Sequence, residues 1–316
     1  MHEDRVVDPV IGQPVRVRSV VVVRKTTAVE SIAARGDRKM QHAMDIGDPL
    51  ADRVRLSHSE HVRSAEIVEN VLKKSGVDYQ VVSNLGRRVA AHVDLVVTVG
   101  GDGTFLRASH SLGAQSTTPL LGVNSAASTS VGYFCAATAD EFAAIFHDVC
   151  TGKVTTRGLW RMQVQLNDKS VPDLALNDVL LAHRSPAETS RYSVQWDGQI
   201  QEQKSSGIWI STAAGSTAAI RSAGGELLEL DARVLQFRVR ELMPWSVQGP
   251  PLFGGRVQQR LVITSRMSRG MVYIDGGHHR FGFGFGDKLE FRLSDRPMPW
   301  IARASLDDRR ILGQSV

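Results

Sequence analysis

The segment Val96-Val97-Thr98-Val99-Gly100-Gly101-Asp102-Gly103-Thr104 constrains the fold more than any other stretch of the chain. Its apolar run reads as a buried strand of a parallel sheet. Gly100, Gly101 and Gly103 let the backbone approach a ligand with no side chain in the way. Asp102 then stands at the carboxyl end of a strand, where open α/β sheets bind ligands. A carboxylate held there can take a proton from a sugar hydroxyl. The same residues also fit a tight strand-to-helix turn with Asp102 as the helix cap. The turn alone leaves both readings open.

Around that segment the chain alternates strands and helices. Val17–Arg24, Tyr79–Val82, Val93–Val99 and Leu120–Asn124 read as strands, and a helix is expected from about Thr104 to Leu112. Ser57-His58-Ser59-Glu60 has capping-box spacing and is expected to open a helix with Val62, Ala65, Val68 and Leu72 on one face. Thr138-Ala139-Asp140-Glu141 is a second such box, ahead of Phe142, Ile145, Phe146 and Val149. Beyond it the texture becomes β-rich, with many short strands separated by turns such as Asp197-Gly198 and Gly276-Gly277. The expected architecture is an α/β N-terminal domain with a parallel sheet, followed by a β-rich, sandwich-like C-terminal domain. Residues 1–138 would form the first domain and 139–292 the second, with 293–316 returning to the first. Residues 1–16 read as a loose tail. Residues 28–56, charged and without a sustained period, read as a loop or insertion.

Composition narrows the class of partner. A net charge of +5 over 316 residues favours an anionic ligand. The arginines are scattered rather than interleaved with aromatics, which speaks against nucleic acid. No apolar run is long enough to span a bilayer, and no amphipathic stretch marks a membrane surface. Two cysteines, Cys135 and Cys150, give neither a disulfide framework nor a metal motif and suit a reducing compartment, so the expected location is the cytoplasm. His278-His279 lacks a third ligand at suitable spacing, and no metal site is expected on the protein itself.

Two further segments carry chemistry. Ser211-Thr212-Ala213-Ala214-Gly215-Ser216-Thr217-Ala218-Ala219, continuing to Ser222-Ala223-Gly224-Gly225, places small residues and hydroxyls at a helix start. Such a start can donate to a phosphate or ribose, or can simply pack closely on a sheet. Asn177-Asp178 interrupts the apolar run Ala175–Leu181. A buried polar pair needs its hydrogen bonds met, by a ligand or by a turn at the strand end.

In order and spacing these three pieces resemble the NAD kinases. That family's Gly-Gly-Asp-Gly-Thr is matched by Gly100–Thr104, and its Asn followed by an acid by Asn177-Asp178. Its hydroxyl-rich helix start is matched by Thr212–Ala219 with Ser222–Gly225. Gly122-Val123-Asn124-Ser125, Val131-Gly132-Tyr133-Phe134 and Asp275-Gly276 echo its remaining motifs. Ala213 and Ala219 stand where the family has Pro and Tyr, and Ser125–Val131 is longer and more polar than usual. In these traits the chain looks most like the plant-type NADH kinase branch.

The resemblance implies transfer of the terminal phosphate of ATP, carried with Mg²⁺, to the 2′-hydroxyl of the adenosine ribose of NAD⁺ or NADH. It implies Asp102 as the general base. Gly101 and Gly103 would leave room for the nucleotide, with Thr104 and Asn124 in the same binding set. Arg107 would reach a phosphate and Tyr133 would lie against adenine. Asn177 and Asp178 would hold ribose or amide groups, and Thr217, Ala218 and Ser222 would line the adenosine side. A homodimer or homotetramer is implied as well. The alternative enzyme is a lipid or sphingoid-base kinase sharing only the Gly-Gly-Asp-Gly loop. A non-enzymatic cofactor sensor is a third reading, against which the presence of Asp102 speaks.

Overall fold

The computed structural model describes residues 11–302. They form two compact units: residues up to Gly158 together with 299–302, and Leu159–Met298. The boundary at Gly158 differs from the expected one near 138. The helix at 142–150 buries Phe142, Phe146 and Val149 in the first unit's core, with Val97, Leu121 and Val123, so it belongs there.

In chain order the first unit contains β1 (Ser19–Arg24), α1 (Ala28–Arg35), α2 (Arg38–Asp45), α3 (Pro49–Ser75), β2 (Asp78–Val82), α4 (Arg87–Ala90), β3 (Leu95–Gly100), α5 (Asp102–Ser111), β4 (Leu120–Asn124), β5 (Cys135–Thr138), α6 (Phe142–Cys150) and β6 (Arg157–Leu159). The sheet runs β2-β1-β3-β4, then the last strand Met298–Ile301, then β6, with β5 also beside β4. The pairings of β1 with β2 and β3, and of β4 with β3, β5 and the last strand, are parallel. All six residues of β3 and all five of β4 are buried, the state their unbroken apolar sequences require. Both strands end at the Gly100 and Asn124 positions from which the glycine turn and its neighbour loop depart.

Residues 28–56 are helical, not a loop. Thr27 caps α1 in a reciprocal box with Glu30, and Gly36 closes that helix at φ 66°. Asp37 caps α2 by accepting from the Met40 amide. Neither helix buries a residue, and each has only 8 residues, too short a run for a helical period to stand out in the sequence. Helix α3 begins at Pro49, favoured at a first helical position, and runs unbroken through Ser57–Glu60. Ser59 there donates back to the Leu56 carbonyl at 2.9 Å, as hydroxyls inside helices do, instead of starting a helix. The stripe His61, Ala65, Val68 and Leu72 is buried, and its apolar members join the sheet's core. Of the expected tail, residues 1–10 lie outside the described residues. Residues 12–14 are tied down, with the Gly12 amide donating to Thr156 and Pro14 bridging Thr155. Of the expected returning segment, 303–316 lie outside the described residues.

The second unit is antiparallel. It holds β7 (Met162–Leu166), β8 (Lys169–Ser170), β9 (Asp178–His183), β10 (Ser190–Trp196), β11 (Gln199–Ser205), β12 (Gly207–Ser211), the one-turn helix α7 (Ala219–Ser222), β13 (Leu235–Arg240), β14 (Gly254–Val257), β15 (Leu261–Ser265), β16 (Gly270–Ile274), β17 (His279–Phe283) and β18 (Lys288–Leu293). One sheet runs β11-β10-β15-β18-β7-β8 and the other β14-β13-β12-β9-β16-β17. A shared core takes Tyr192, Ile263 and Phe291 from the first and Val179, Ile210 and Phe237 from the second, as in a sandwich. The central position of β9, paired with β12 and β16, places Asn177-Asp178 at the end of a strand held on both sides.

Candidate functional site

In the first unit, Gly101 is the N-cap of α5 and Asp102 its first residue. The Asp102 carboxylate is half-buried and accepts two consecutive backbone amides, Tyr133 N–H at 3.0 Å on Oδ2 and Phe134 N–H at 2.8 Å on Oδ1. Burial raises its pKa above the ordinary carboxylate range, and the Phe134 amide offsets part of that rise. One lone pair on each oxygen remains outside these two bonds. A raised pKa makes the group a better proton acceptor near neutral pH.

The loop that supplies those amides is itself fixed. Asn124 Nδ2 donates to the Ser130 carbonyl at 2.9 Å, and the Ala126 amide donates to Asn124 Oδ1 at 3.2 Å. Gly132 sits at φ 63°, and a Cβ there would lie 2.5 Å from Asn124 Nδ2. Phe134 stacks on Phe105 with centroids 5.0 Å apart, and Trp300 Nε1–H donates to the Phe134 carbonyl at 3.1 Å. Tyr133 packs edge-on against Phe134 and is half-buried. Gly101, Asp102, Gly103, Thr104, Asn124 and Tyr133 therefore gather around the ends of β3 and β4. Arg107 follows one turn along α5, half-buried. The carboxylate is not the cap of its own helix: its acceptors face the 133–134 loop.

In the second unit, Asn177 and Asp178 meet the hydroxyl segment. Thr212 donates its amide to the Asn177 carbonyl at 3.0 Å and its hydroxyl to the Leu176 carbonyl. The Gly215 amide returns to Thr212 Oγ1 at 3.1 Å. Gly215 must be glycine here, because a Cβ would lie 2.0 Å from the Asn177 carbonyl oxygen. Asn177 Oδ1 is buried with no hydrogen-bond partner among the described residues. Asp178 is buried, and burial followed by the charge of Asp275 pushes its pKa up to about 7. Thr217 and Ala218, which follow Gly215 in the chain, are half-buried, whereas Ser222 ends α7 and is exposed.

Two residues of this half were not singled out as site residues from sequence. Asp275, at φ 48° in the turn after β16, accepts the amides of Leu176, Asn177 and Asp178 at 2.7, 2.7 and 3.1 Å. Arg161 is 1% exposed, and burial lowers its pKa to about 10 against the opposing pull of Asp275. The Asp-Gly pair at 275–276 is visible in the sequence as a turn, but its three partners are not. His279, of the His278-His279 pair, stands 3.3 Å from Asp173.

Two family models match: the ATP-NAD kinase N-terminal domain over residues 22–154 and the ATP-NAD kinase C-terminal domain over 176–303. The chain belongs to the ATP-NAD kinase family. A probable NADH kinase of Oryza sativa subsp. japonica is 36% identical over 273 residues, covering 79% of this chain and 82% of that relative. The solved structure of an NAD kinase from Archaeoglobus fulgidus in complex with ATP aligns at a TM-score of 0.67. It covers 93% of this chain and 97% of that one, at 19% identity. Yeast NADH kinase complexed with NADH aligns at 0.67 as well, over 98% and 91%, at 16% identity. These likenesses extend through both halves of this ATP-NAD kinase family member, including the Asn-Asp strand and the hydroxyl segment that the lipid-kinase alternative does not explain. No described helix is long and apolar enough to cross a membrane.

Proposed function

We propose that this protein phosphorylates the 2′-hydroxyl of the adenosine ribose of NAD⁺ or NADH, with ATP as donor. The observation that carries the reading is Asp102: a desolvated carboxylate, fixed by two backbone amides beside a glycine turn, in a member of the ATP-NAD kinase family. In the reaction the ribose oxygen forms a bond to the γ-phosphorus, the bond from that phosphorus to the β-bridging oxygen breaks, and ADP leaves. The hydroxyl proton passes to a free lone pair of Asp102. Gly101 and Gly103 keep the approach open, with Thr104 and Asn124 beside them, Arg107 takes a phosphate and Tyr133 covers the adenine. Asn177 and Asp178 bind ribose or amide groups of the dinucleotide, and the unmet Oδ1 of Asn177 is an acceptor ready for a ligand donor. Thr217, Ala218 and Ser222 contact the adenosine. Phosphoryl transfer relies mainly on positioning and charge neutralisation. Mg²⁺, brought in with the donor, would supply part of the latter.

Both cysteines are free thiols, which supports a cytoplasmic setting. Assembly as a homodimer or homotetramer follows from the family resemblance, and light scattering tests it. The deciding experiment offers purified protein Mg-ATP with NAD⁺, NADH or diacylglycerol in parallel. NADP(H) forms in a dinucleotide reaction; its absence from both would overturn the proposal, and the ratio of the two rates gives the redox preference.

A further inference from the structure

Helix α3 buries a histidine to which the transfer reaction above gives no task. His61 is fully buried, in one stripe with Ala65, Val68 and Leu72. An imidazole placed there gives up its hydration, at a cost that an aliphatic side chain would not meet. Its Nδ1 lies 2.8 Å from Ser125 Oγ, whereas Nε2 is buried without a hydrogen-bond partner among the described residues. Burial first, then the charges of Arg24 and Lys25, lowers the pKa of the ring to about 4, so the ring is neutral at physiological pH. A neutral imidazole has one donor and one acceptor nitrogen. Buried donors without a partner are rarer than buried acceptors without one. The unmet Nε2 is therefore the acceptor, and Nδ1 carries the proton and donates it to Ser125 Oγ.

Ser125 directly follows β4 and is 2% exposed. Its amide donates to the Gly100 carbonyl at 3.1 Å, where the glycine turn begins. Its carbonyl accepts the Ser64 hydroxyl, also at 3.1 Å. His61 and Ser64 are neighbours on one face of α3, so that face holds both the side chain and the carbonyl of Ser125. The loop that Ser125 opens leads to the amides that Asp102 accepts. The Ala126 carbonyl takes the Thr129 and Ser130 amides, both at 3.0 Å, and the Asn124 side chain joins Ala126 to Ser130. Tyr133 and Phe134 follow, with their amides on the carboxylate. A continuous set of bonds thus runs from α3 through Ser125 to Gly100 on one side and to the loop carrying those amides on the other.

We propose that His61 is a positioning residue for the transfer reaction: through Ser125 it locks the loop whose amides aim the Asp102 carboxylate. The proposal rests on the kinase reading of Asp102 and adds the part that holds the base in place. A misplacement of about 1 Å at a reacting group can cost about a hundredfold in rate. The donor nitrogen of His61, not its bulk, carries the role. An asparagine keeps an amide N–H near the place of Nδ1 and substitutes for it, whereas a leucine fills the space and offers no donor.

The test uses the full chain with His61→Leu, His61→Asn, Ser125→Ala and the double variant of His61→Leu with Ser125→Ala. Steady-state kinetics give kcat and the KM for each substrate. Hydrogen exchange read by mass spectrometry follows residues 126–134, with 142–150 of α6 as the reference, since α6 packs in the same core as α3. For His61→Leu the expected kcat is lower by about tenfold to a hundredfold, with each KM within about threefold of wild type. Ser125→Ala behaves alike, and the double variant is no slower than the slower single variant, because both substitutions cut one path. His61→Asn restores kcat to within about threefold of wild type. Exchange accelerates in 126–134 and not in 142–150. A kcat within about twofold of wild type in His61→Leu or in Ser125→Ala overturns the proposal. Equal acceleration of both peptides overturns it too, by marking a general loss of stability, as does a His61→Asn variant as slow as His61→Leu. Failure of the kinase reading is a separate result: the wild type forms no NADP(H), and the exchange comparison alone still decides whether His61 holds the loop.

Discussion

Replacing Asp275 by Asn tests the frame that carries Asn177 and Asp178. The wild-type carboxylate accepts three amides, Leu176 on Oδ2 and Asn177 and Asp178 on Oδ1. An asparagine retains an oxygen for two of them and turns its NH₂ toward the third, donor against donor. One charge-assisted bond is lost at about 1.5–3 kcal/mol, and the other two become neutral. The charge opposite buried Arg161 disappears as well, and unbalancing a buried ion typically costs about 3–5 kcal/mol. Relief runs the other way at Asp178, because Asp275 is one of the two causes that raise its pKa. These contributions overlap, and the net expectation is about 2–4 kcal/mol of destabilisation. At about 2–4 °C per kcal/mol for a unit of this size, the transition falls by roughly 5–15 °C. Intrinsic fluorescence follows it well, since Trp160, Trp196, Trp209 and Trp245 lie in the second unit and Trp300 in the first. Arg161→Met and the double variant complete a cycle, with a coupling above about 1 kcal/mol expected for groups sharing one network. A transition within about 1 °C of wild type, or strict additivity of the two substitutions, would refute the assignment of Asp275 as the anchor.

Other substitutions probe the site directly. Asp102→Asn should lower turnover by about two to four orders of magnitude with little change in KM for ATP, because it removes the proton acceptor; stopped-time assays of NADP(H) decide this, and near-normal turnover retires the base. Gly215→Ala drives a methyl into the Asn177 backbone at 2.0 Å, so about 1–3 kcal/mol of stability and a rise in KM for the dinucleotide are expected. Asp178, with a native pKa raised to about 7, contributes stability that is fully present below its unfolded value near 4. That stability is lost as pH rises through 7, so urea midpoints of the wild type should carry a loss over this window that Asp178→Asn removes. A variant with the same slope as wild type would exclude Asp178 as its source.

The elements legible in the sequence are those whose signal is local. Strand β3 and strand β4 declare themselves by unbroken burial, and β10 by alternation of buried and open positions. Helices α1 and α2 escape because each has only 8 residues, too few for a period of 3.6 to repeat clearly. Their caps, Thr27 with Glu30 and Asp37 with Met40, are present in the sequence, but a cap without a period following it is a weak sign. The box at Ser57–Glu60 errs in the opposite direction, having the right spacing inside a helix that had already begun at Pro49. Strand β11 turns Gln201, Gln203 and Ser205 inward and leaves Ile200 70% exposed at a sheet edge, so its alternation carries no apolar signal and its pairing with β10 reveals it.

The same division separates Asp102 from Asp275. Both are aspartates whose carboxylates gather consecutive backbone amides and so fix a turn at the end of a strand. Asp102 is conspicuous because its glycines are adjacent, even though the amides it accepts belong to residues 31 and 32 positions further on. Asp275 has partners 97 to 99 positions upstream, and nothing near it in the chain points to them. What distinguishes their work is how much capacity each has left. Asp275 spends its oxygens on three backbone donors, which suits a carboxylate that holds a frame. Asp102 takes one amide on each oxygen, is desolvated enough for its pKa to rise, and keeps a lone pair on each. A carboxylate rigid in position but raised in basicity is the combination a general base needs, whereas Asp275 has already given its oxygens to three amides.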